Sequence, residues 1–235
     1  MTGNIRPTKS RRVALLVVAT GRYAEYIPTL AASMQRHFLA GWQRQILVFT
    51  DRPQASWPNC VQSFPWRKLG WPHDTLLRYH AYCTQLTAYT PFQYLYCCDA
   101  DMRFVDTVGE EILDQLVATQ HPGYYGRRGT PEDQQVKSLA YIPRVQAMQY
   151  FAGGFWGGLR DPVLNMIRRL RDNIQSDLSR GVIAKWHDES HLNKQFLIVP
   201  PTKILSPDYC FAENFDIPFH PRLLAISKDH ASMRA

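Results

Sequence analysis

The sequence predicts a single α/β domain with a largely parallel sheet covered by helices on both faces. Two apolar runs of strand length, at Val13–Ala19 and Gln45–Asp51, lack the alternation of a half-exposed strand. A helical pattern at Ile27–Phe38 lies between them, and the order strand, helix, strand favours a parallel sheet of the nucleotide-binding type. With 235 residues, of which 45% are hydrophobic, the chain can bury the core of one such domain.

The remaining elements follow in chain order. Residues 1–10 are polar, have little apolar surface to bury and are expected to be disordered, so that the domain spans residues 11–235. Thr20–Tyr23 is expected to form a loop, and residues 53–72 a longer one with a short strand near Val61. The patterns then predict a helix at Thr75–Tyr89, a strand from Tyr94, and helices at Val108–Thr119 and Pro162–Arg180.

The strand that begins at Tyr94 ends in two aspartates, Asp99 and Asp101. Ligands of open α/β sheets bind at the carboxyl ends of the strands, where two carboxylates can share a divalent cation and bridge it to a diphosphate. A turn or a helix cap is the alternative, because acidic residues at strand ends commonly have those structural roles.

Two Gly-Gly pairs interrupt the aromatic segment Gln149–Gly158. A glycine lets a ligand or another backbone come close because it has no Cβ. A bulged strand that needs glycine only for bending would produce the same pattern.

The segment Trp186–Asn193 has the highest density of ionisable and hydrogen-bonding side chains in the chain. A helix beginning here would hold Asp188 and Glu189 in fixed positions, as a general base, a nucleophile or a sugar-binding carboxylate requires. In the structural alternative, Asp188 caps the helix and Glu189 complements its dipole. His187 and His191 are four residues apart, as in some zinc sites, but the residues between them do not match the protease motif.

The polar tail at residues 226–234 contains Lys228 and Arg234. Such a segment is ordinarily a solvated terminus. A mobile basic tail could also fold over a diphosphate and neutralise a departing nucleotide.

The composition leaves several partner classes open. A net charge of +7 and a pI near 9.2 suit nucleic acid, an anionic surface or a phosphorylated small substrate. The basic cluster Arg168–Arg171 lies in a helical pattern and indicates a solvated helix face, so we expect no nucleic-acid partner. The longest aliphatic run, Val13–Ala19, is too short to cross a bilayer, and we expect no membrane anchor. Five cysteines without a disulfide spacing predict reduced thiols and a cytoplasmic location.

The motifs together resemble glycosyltransferase family 6, which includes the histo-blood-group A and B transferases and the α-1,3-galactosyltransferases. The resemblance runs from Val13 to Arg234, and the eight-residue match at Trp186–Asn193 is its most specific part. The matching motifs are Tyr94–Phe104, Val108–Leu113, His121–Gly126, Ala140–Pro143, Gly153–Gly158, Trp186–Asn193 and Pro201–Pro207.

The resemblance implies a GT-A fold, a Rossmann-like mixed sheet flanked by helices, with nucleotide bound by the N-terminal part and acceptor by the C-terminal part. It implies retaining, Mn²⁺-dependent transfer of N-acetylgalactosamine or galactose from UDP to a galactose-containing oligosaccharide, with or without fucose, in α-1,3 linkage. A non-catalytic UDP-binding or glycan-binding protein on the same fold, or a GT-A transferase of other linkage, is the alternative.

The resemblance also implies roles for individual residues. Asp99 and Asp101 match the ligands of Mn²⁺ and diphosphate, and Asp188 the residue that binds donor-sugar hydroxyls. Glu189 matches the carboxylate beneath the anomeric carbon, which is either a nucleophile or an ion-pair stabiliser. The other implied donor contacts are Val18, Ala19 and Tyr23 at uridine, Ala100 at ribose, Arg78, and Lys228 and Arg234 at the diphosphate. The implied acceptor contacts are His121 and Trp186.

Two positions that the family uses to sort donors are Ala152 and Gly154, on either side of Gly153. Small residues there leave room for an N-acetyl group and favour UDP-N-acetylgalactosamine. The chain starts close to its first strand, as expected of a soluble bacterial or viral member without the vertebrate anchor and stem. The segment Arg127–Lys137 is shorter than its vertebrate counterpart, which leaves the acceptor open. Both motif aspartates are kept, which predicts metal dependence.

Overall fold

A computed structural model of the chain describes residues 11–128, 135–229, 231 and 233. The expected disorder of residues 1–10 and the expected role of Arg234 lie outside these residues. Part of the segment Arg127–Lys137, namely residues 129–134, also lies outside them.

A mixed seven-stranded sheet forms the centre of the protein. The strands are β1 (Arg12–Val18), β2 (Gln43–Thr50), β3 (Val61–Pro65), β4 (Tyr94–Cys98), β5 (Met102–Phe104), β6 (Leu116–Thr119), β7 (Phe155–Leu159), β8 (Lys203–Leu205), β9 (Phe211–Ala212) and β10 (Leu223–Ala225). The order in the large sheet is β3-β2-β1-β4-β7-β6-β8, and β5, β10 and β9 form a second, smaller sheet. Strands β1 to β4 are parallel, whereas β7 runs antiparallel to both β4 and β6. This is the α/β architecture that the sequence predicts.

Helices cover both faces of the large sheet. They are α1 (Ile27–His37), α2 (His73–Leu76), α3 (Arg78–Cys83), α4 (Arg160–Ser179) and α5 (His187–Ile198). Successive residues of β1 alternate between two cores, with Leu15 packed in the core that contains α1 and Leu16 in the core that contains α3 and α4. Cys97 and Cys98 divide in the same way, which confirms that their side chains point to opposite faces. All five cysteines are free thiols, as predicted.

The segment Thr75–Tyr89 is not one helix, contrary to the sequence pattern. It divides into α2, α3 and a 3₁₀ turn at Leu86–Tyr89. Buried tyrosine hydroxyls need partners, and here Tyr82 donates to the Leu16 carbonyl at 3.0 Å and Tyr89 to the Tyr82 carbonyl at 2.6 Å. Tertiary contacts of these side chains therefore override the helical period.

The predicted helix at Val108–Thr119 is also wrong. Its first part is a 3₁₀ turn at Glu110–Ile112, and its second part is β6, buried between β7 and β8. A short apolar run can be a buried strand or a helix segment, and periodicity alone does not separate the two. The expected loop after β1 is instead a 3₁₀ helix at Gly21–Tyr26, where Gly21 has a φ of +56°.

Within the described residues, no helix has both the length and the apolar character that crossing a membrane requires.

The second glycine pair is Gly157 and Gly158, and packing between β4 and β7 requires the glycine at position 157. A Cβ on Gly157 would lie 2.3 Å from the Leu95 carbonyl oxygen and 2.7 Å from the Tyr96 Cα, so one strand would have to move. We predict that Gly157→Ala lowers the free energy of unfolding by about 3 kcal/mol or more, measured by denaturant unfolding. Gly109→Ala is the matched control, because its Cβ would meet only the movable side chain of Glu111. Equal stability of the two variants would contradict this account of the glycine.

Candidate active site

A cleft opens where the chain reverses its direction across the sheet, between the carboxyl ends of β1 and β4. Ligands of open α/β sheets bind at such switch points. The residues that line the cleft are Val18, Thr20, Tyr23, Trp71, Asp74, Thr75, Arg78, Cys98, Asp99, Ala100, Asp101 and Lys228. Seven of these residues are predicted donor contacts, namely Val18, Tyr23, Arg78, Asp99, Ala100, Asp101 and Lys228. They come together in the fold although up to 210 positions separate them in the sequence. Ala19 is fully buried and packs in the core beside the cleft.

Arg78 joins two carboxylates at the base of the cleft. Its Nη1 lies 2.7 Å from Asp99 Oδ1, and its Nε lies 2.8 Å from Asp188 Oδ2. The same Nη1 donates to the Gly153 carbonyl at 3.3 Å. Arg78 is 9% exposed and Asp188 is 1% exposed, so this is a buried charge network. It connects the end of β4 to the first turn of α5.

Asp101 forms an ion pair with Lys228, which lies in the tail. The Lys228 ammonium is also 5.4 Å from the centre of the Tyr23 ring, and the Ile226 amide donates to the Asp101 carbonyl at 3.0 Å. This part of the tail therefore folds onto the cleft and is not a solvated end. The described residues after it are too few to follow the tail to Arg234.

The two aspartates fit the chemistry of a hard divalent cation but do not complete its coordination. Carboxylate oxygens are the ligand type that Mn²⁺ and Mg²⁺ prefer. Among the residues that the structure describes, no group of three His, Cys, Asp or Glu side chains is placed to hold a metal. A cation between Asp99 and Asp101 would therefore take its remaining ligands from water and from an anionic group such as a diphosphate.

Glu189 is held in place by two hydrogen bonds. Its Oε2 accepts from the Gly153 amide at 2.7 Å, and its Oε1 accepts from the Tyr150 hydroxyl at 2.8 Å. Asn193 donates to the Glu189 carbonyl at 3.0 Å and exchanges two hydrogen bonds with the backbone of Phe151. The carboxylate is therefore fixed relative to the glycine segment and not only to its own helix.

Burial shifts the titration of both acidic residues in the first turn of α5. It raises the pKa of Glu189 to about 7, although the hydrogen bonds from Gly153 and Tyr150 favour the ionised form. It also raises the pKa of Asp188 to about 6, against the opposing effect of the Arg78 charge. Two adjacent carboxyl groups therefore titrate near neutral pH beside the cleft, which is typical of functional sites.

The beginning of α5 differs from a capped helix. The N-cap residue is Trp186, whose side chain forms no capping hydrogen bond. Asp188 lies in the first turn, where its carboxylate accepts from the Asp188 and Glu189 amides and also pairs with Arg78, so a structural role at the helix start and a role in the charge network coexist. Ser190 Oγ accepts from the Trp186 amide at 2.9 Å.

His187 and His191 contact different parts of the protein. His187, with a φ of +54°, contacts the Trp71 ring at 4.6 Å between centroids, whereas His191 lies 3.5 Å from Asp177. The two histidines have different partners, which does not favour a shared zinc ion.

The first glycine pair lies against the site, unlike the second. A Cβ on Gly153 would lie 3.3 Å from Glu189 Oε2, and one on Gly154 would lie 3.0 Å from Cys210 Sγ and 3.3 Å from Asp99 Oδ2. The pair thus allows close approach of the backbone to both carboxylates. Ala152 is buried next to it.

Tyr150 connects the predicted acceptor side to Glu189. Its carbonyl accepts from the His121 amide at 2.9 Å, and its ring lies 5.5 Å from the imidazole. Burial lowers the pKa of His121 to about 4, so the ring is neutral, and its Nδ1 accepts from the Gly123 amide at 3.0 Å. Trp186, the other predicted acceptor contact, is 47% exposed and lies three residues before Glu189 in the chain.

Sequence reasoning missed Tyr150 and five residues of the cleft wall. Tyr150 stands within the glycine segment, and its proximity to that motif is the signal that could have found it. Thr20 and Trp71 come from connecting segments, and Asp74 and Thr75 from the single turn of α2, where no periodicity indicates which side chain faces a ligand. Cys98 is the last residue of β4, directly before the predicted Asp99.

Comparisons with known proteins find similarity over most of the chain. The family model described as glycosyltransferase family 6 matches residues 77–235. The Histo-blood group ABO system transferase 1 of Rattus norvegicus is 34% identical over 242 residues, which cover 94% of this chain and 68% of that protein. The Globoside alpha-1,3-N-acetylgalactosaminyltransferase 1 of Gallus gallus is 30% identical, with 94% and 69% covered. The Alpha-1,3-galactosyltransferase 2 of Homo sapiens is 29% identical, with 94% and 70% covered.

The raised pKa of Glu189 predicts a pH-dependent stability change for Glu189→Gln. Because the folded pKa is about 7 and the ordinary value is 4.5, ionised Glu189 destabilises the fold increasingly from pH 4.5 to 7 and constantly above that. The glutamine oxygen can accept from the Gly153 amide, and its NH2 group can donate to the Tyr150 oxygen, so both contacts persist without a charge. We expect its free energy of unfolding to exceed that of the parent by up to about 3 kcal/mol at pH 8, with no gain at pH 4.5. Denaturant unfolding across this pH range checks it.

Glu25→Gln, which replaces an exposed carboxylate, is the control for that series, and its free energy of unfolding should show no such gain over the parent at pH 8. A Glu189→Gln protein that is no more stable than the parent at pH 8 would contradict the cost assigned to burial of this carboxylate.

Proposed function

Because this chain belongs to glycosyltransferase family 6 and is a hexosyltransferase, we propose that it transfers N-acetylgalactosamine, or galactose, from UDP in α-1,3 linkage to a galactose-containing glycan. The transfer proceeds with retention of configuration. The observation that supports it most is the convergence on one cleft of Asp99, Asp101 and Lys228 with the Arg78 network that leads to Glu189.

The charged residues of the cleft act on the leaving nucleotide. A diphosphate gains negative charge as its bond to the sugar breaks, so positive groups at that point stabilise the transition state. Lys228 lies within the cleft on a tail segment, where it can exchange its partner Asp101 for a diphosphate oxygen. A Mn²⁺ ion held by Asp99 and Asp101 would supply Lewis-acid charge to the same group.

Glu189 acts on the sugar. A sugar that leaves a nucleotide passes through an oxocarbenium-like state, and a carboxylate facing the positive carbon stabilises it or forms a covalent intermediate. The Gly153 amide and the Tyr150 hydroxyl orient this carboxylate and favour its ionised form. Asp188, fixed by Arg78, is the candidate ligand of the donor-sugar hydroxyls.

The donor that we favour is UDP-N-acetylgalactosamine. Ala152 and Gly154 present no side chain longer than a methyl group, and Gly154 approaches both Cys210 and Asp99. The α-1,3-N-acetylgalactosaminyltransferase named among the relatives also supports this choice. The acceptor side comprises His121 and Trp186, and five free cysteines support a cytoplasmic location.

A donor and acceptor screen with and without Mn²⁺ tests this function. We expect transfer from UDP-N-acetylgalactosamine to a terminal galactose, loss of transfer in EDTA and its recovery with Mn²⁺. Linkage and anomer analysis should show an α-1,3 product. Preference for UDP-galactose would reverse the donor assignment, and full activity in EDTA would contradict the proposed metal dependence. Binding of UDP without hydrolysis or transfer would favour a non-catalytic protein.

Glu189→Gln should abolish transfer while UDP binding survives. The amide is nearly isosteric and keeps the contacts to Gly153 and Tyr150, but it has no charge to place against an oxocarbenium carbon. A decrease in kcat of at least about 10³-fold with an unchanged Kd for UDP is the expected result. Turnover close to that of the parent would exclude Glu189 from this role.

A further inference from the structure

Exposed apolar side chains concentrate in two short segments beside the acceptor side of the cleft. Val145 is 86% exposed, Val136 68%, Met148 54% and Trp186 47%. Single exposed apolar residues need no explanation, but several in neighbouring segments indicate a contact surface. We define the apolar-basic patch as the exposed side chains of residues 136–148 and 180–186.

Hydrogen bonds hold the two segments of the patch together. Asp177, which is 1% exposed, accepts from the Ser138 hydroxyl at 2.6 Å and from the Leu139 amide at 3.0 Å. Its own carbonyl accepts from the Val182 amide at 2.9 Å. Residues of both segments, Val136 and Ile183 among them, line one open groove. Asp177 and the groove therefore join the two segments of the patch at residues 135–139 and 181–183.

The patch borders the catalytic carboxylate. Its first segment leads to Tyr150, whose hydroxyl donates to Glu189, and its second segment ends at Trp186, three residues before Glu189 in the chain. A partner that covers the patch therefore meets the chain segments that hold Glu189.

The charged side chains of the patch are basic. Lys137, Arg144, Arg180 and Lys185 are exposed, and neither 135–149 nor 178–187 contains an Asp or Glu. Arg180 forms an ion pair with Asp177, so the positive charge of the patch comes from Lys137, Arg144 and Lys185. The preceding residues 129–134 contribute Glu132 and Asp133 to the sequence, two acids against these three cations. The surface thus combines aliphatic groups, an indole and positive charge.

We propose that the apolar-basic patch docks the protein on an anionic lipid bilayer. Lysine and arginine are attracted to the negative surface of the cytoplasmic leaflet, while tryptophan and aliphatic side chains enter the headgroup boundary. Trp186 is also a predicted acceptor contact, but a glycan alone does not explain the patch, because Val145 and Met148 offer sugars neither a stacking ring nor a hydrogen bond. If the proposed function holds, docking brings the cleft to acceptors that are attached to lipid.

The test is sedimentation of the purified full chain with lipid vesicles. Vesicles of phosphatidylcholine alone are compared with vesicles that contain 30% phosphatidylglycerol, in low salt and in 0.5 M salt. We expect binding to the anionic vesicles that high salt weakens. Two double variants, Val145→Glu with Met148→Glu and Lys137→Glu with Arg144→Glu, should each weaken binding at least about tenfold.

The control is Leu197→Glu with Ile198→Glu, which changes two exposed apolar residues at the far end of α5 and should leave binding intact. Thermal melts establish folding, and the charge-reversal variant replaces only exposed side chains. Transfer to a soluble acceptor, measured on the same variants, separates loss of docking from loss of catalysis. No binding of the parent to anionic vesicles would overturn the proposal, as would equal binding by the patch variants or a protein dimer that the patch variants abolish.

Discussion

The buried guanidinium of Arg78 is the interaction on which the site depends. It pairs with Asp99 at the end of β4 and with Asp188 in the first turn of α5, two elements separated by nearly ninety residues of chain. Removing one member of such a network leaves a buried charge without compensation, so each partner constrains the other two. The end of β4 and the first turn of α5 are thereby held in one geometry.

Glu189 lies next to Asp188 in the chain, but the ion pairs of Arg78 are with Asp99 and Asp188. The Glu189 carboxylate accepts from the neutral donors of Gly153 and Tyr150, and burial raises its pKa to about 7, whereas Asp188 pairs with the Arg78 guanidinium. The fold accepts a destabilising carboxylate at this position. That carboxylate becomes useful only when a positive carbon forms beside it, which is consistent with its proposed role.

The apolar-basic patch continues into the chain segments that hold Glu189. Residues 135–150 run from the patch to the Tyr150 hydroxyl, and Asp177 fixes their start to the end of α4. A surface that contacts a bilayer would therefore be rigidly related to the carboxylate, with the acceptor side between them. Lys228 closes the opposite side of the cleft against Asp101.

The sequence by itself determined the first four strands, the long helices and the candidate motif residues, because continuous apolar runs and acidic strand ends are local signals. It failed at Thr75–Tyr89 and Val108–Thr119, where buried tyrosines and a covered strand override local periodicity. Only the tertiary structure decided that Arg78 joins Asp99 to Asp188, that Tyr150 holds Glu189, and that the two glycine pairs have different purposes. Those relations depend on distances between residues far apart in the chain, which no local pattern encodes.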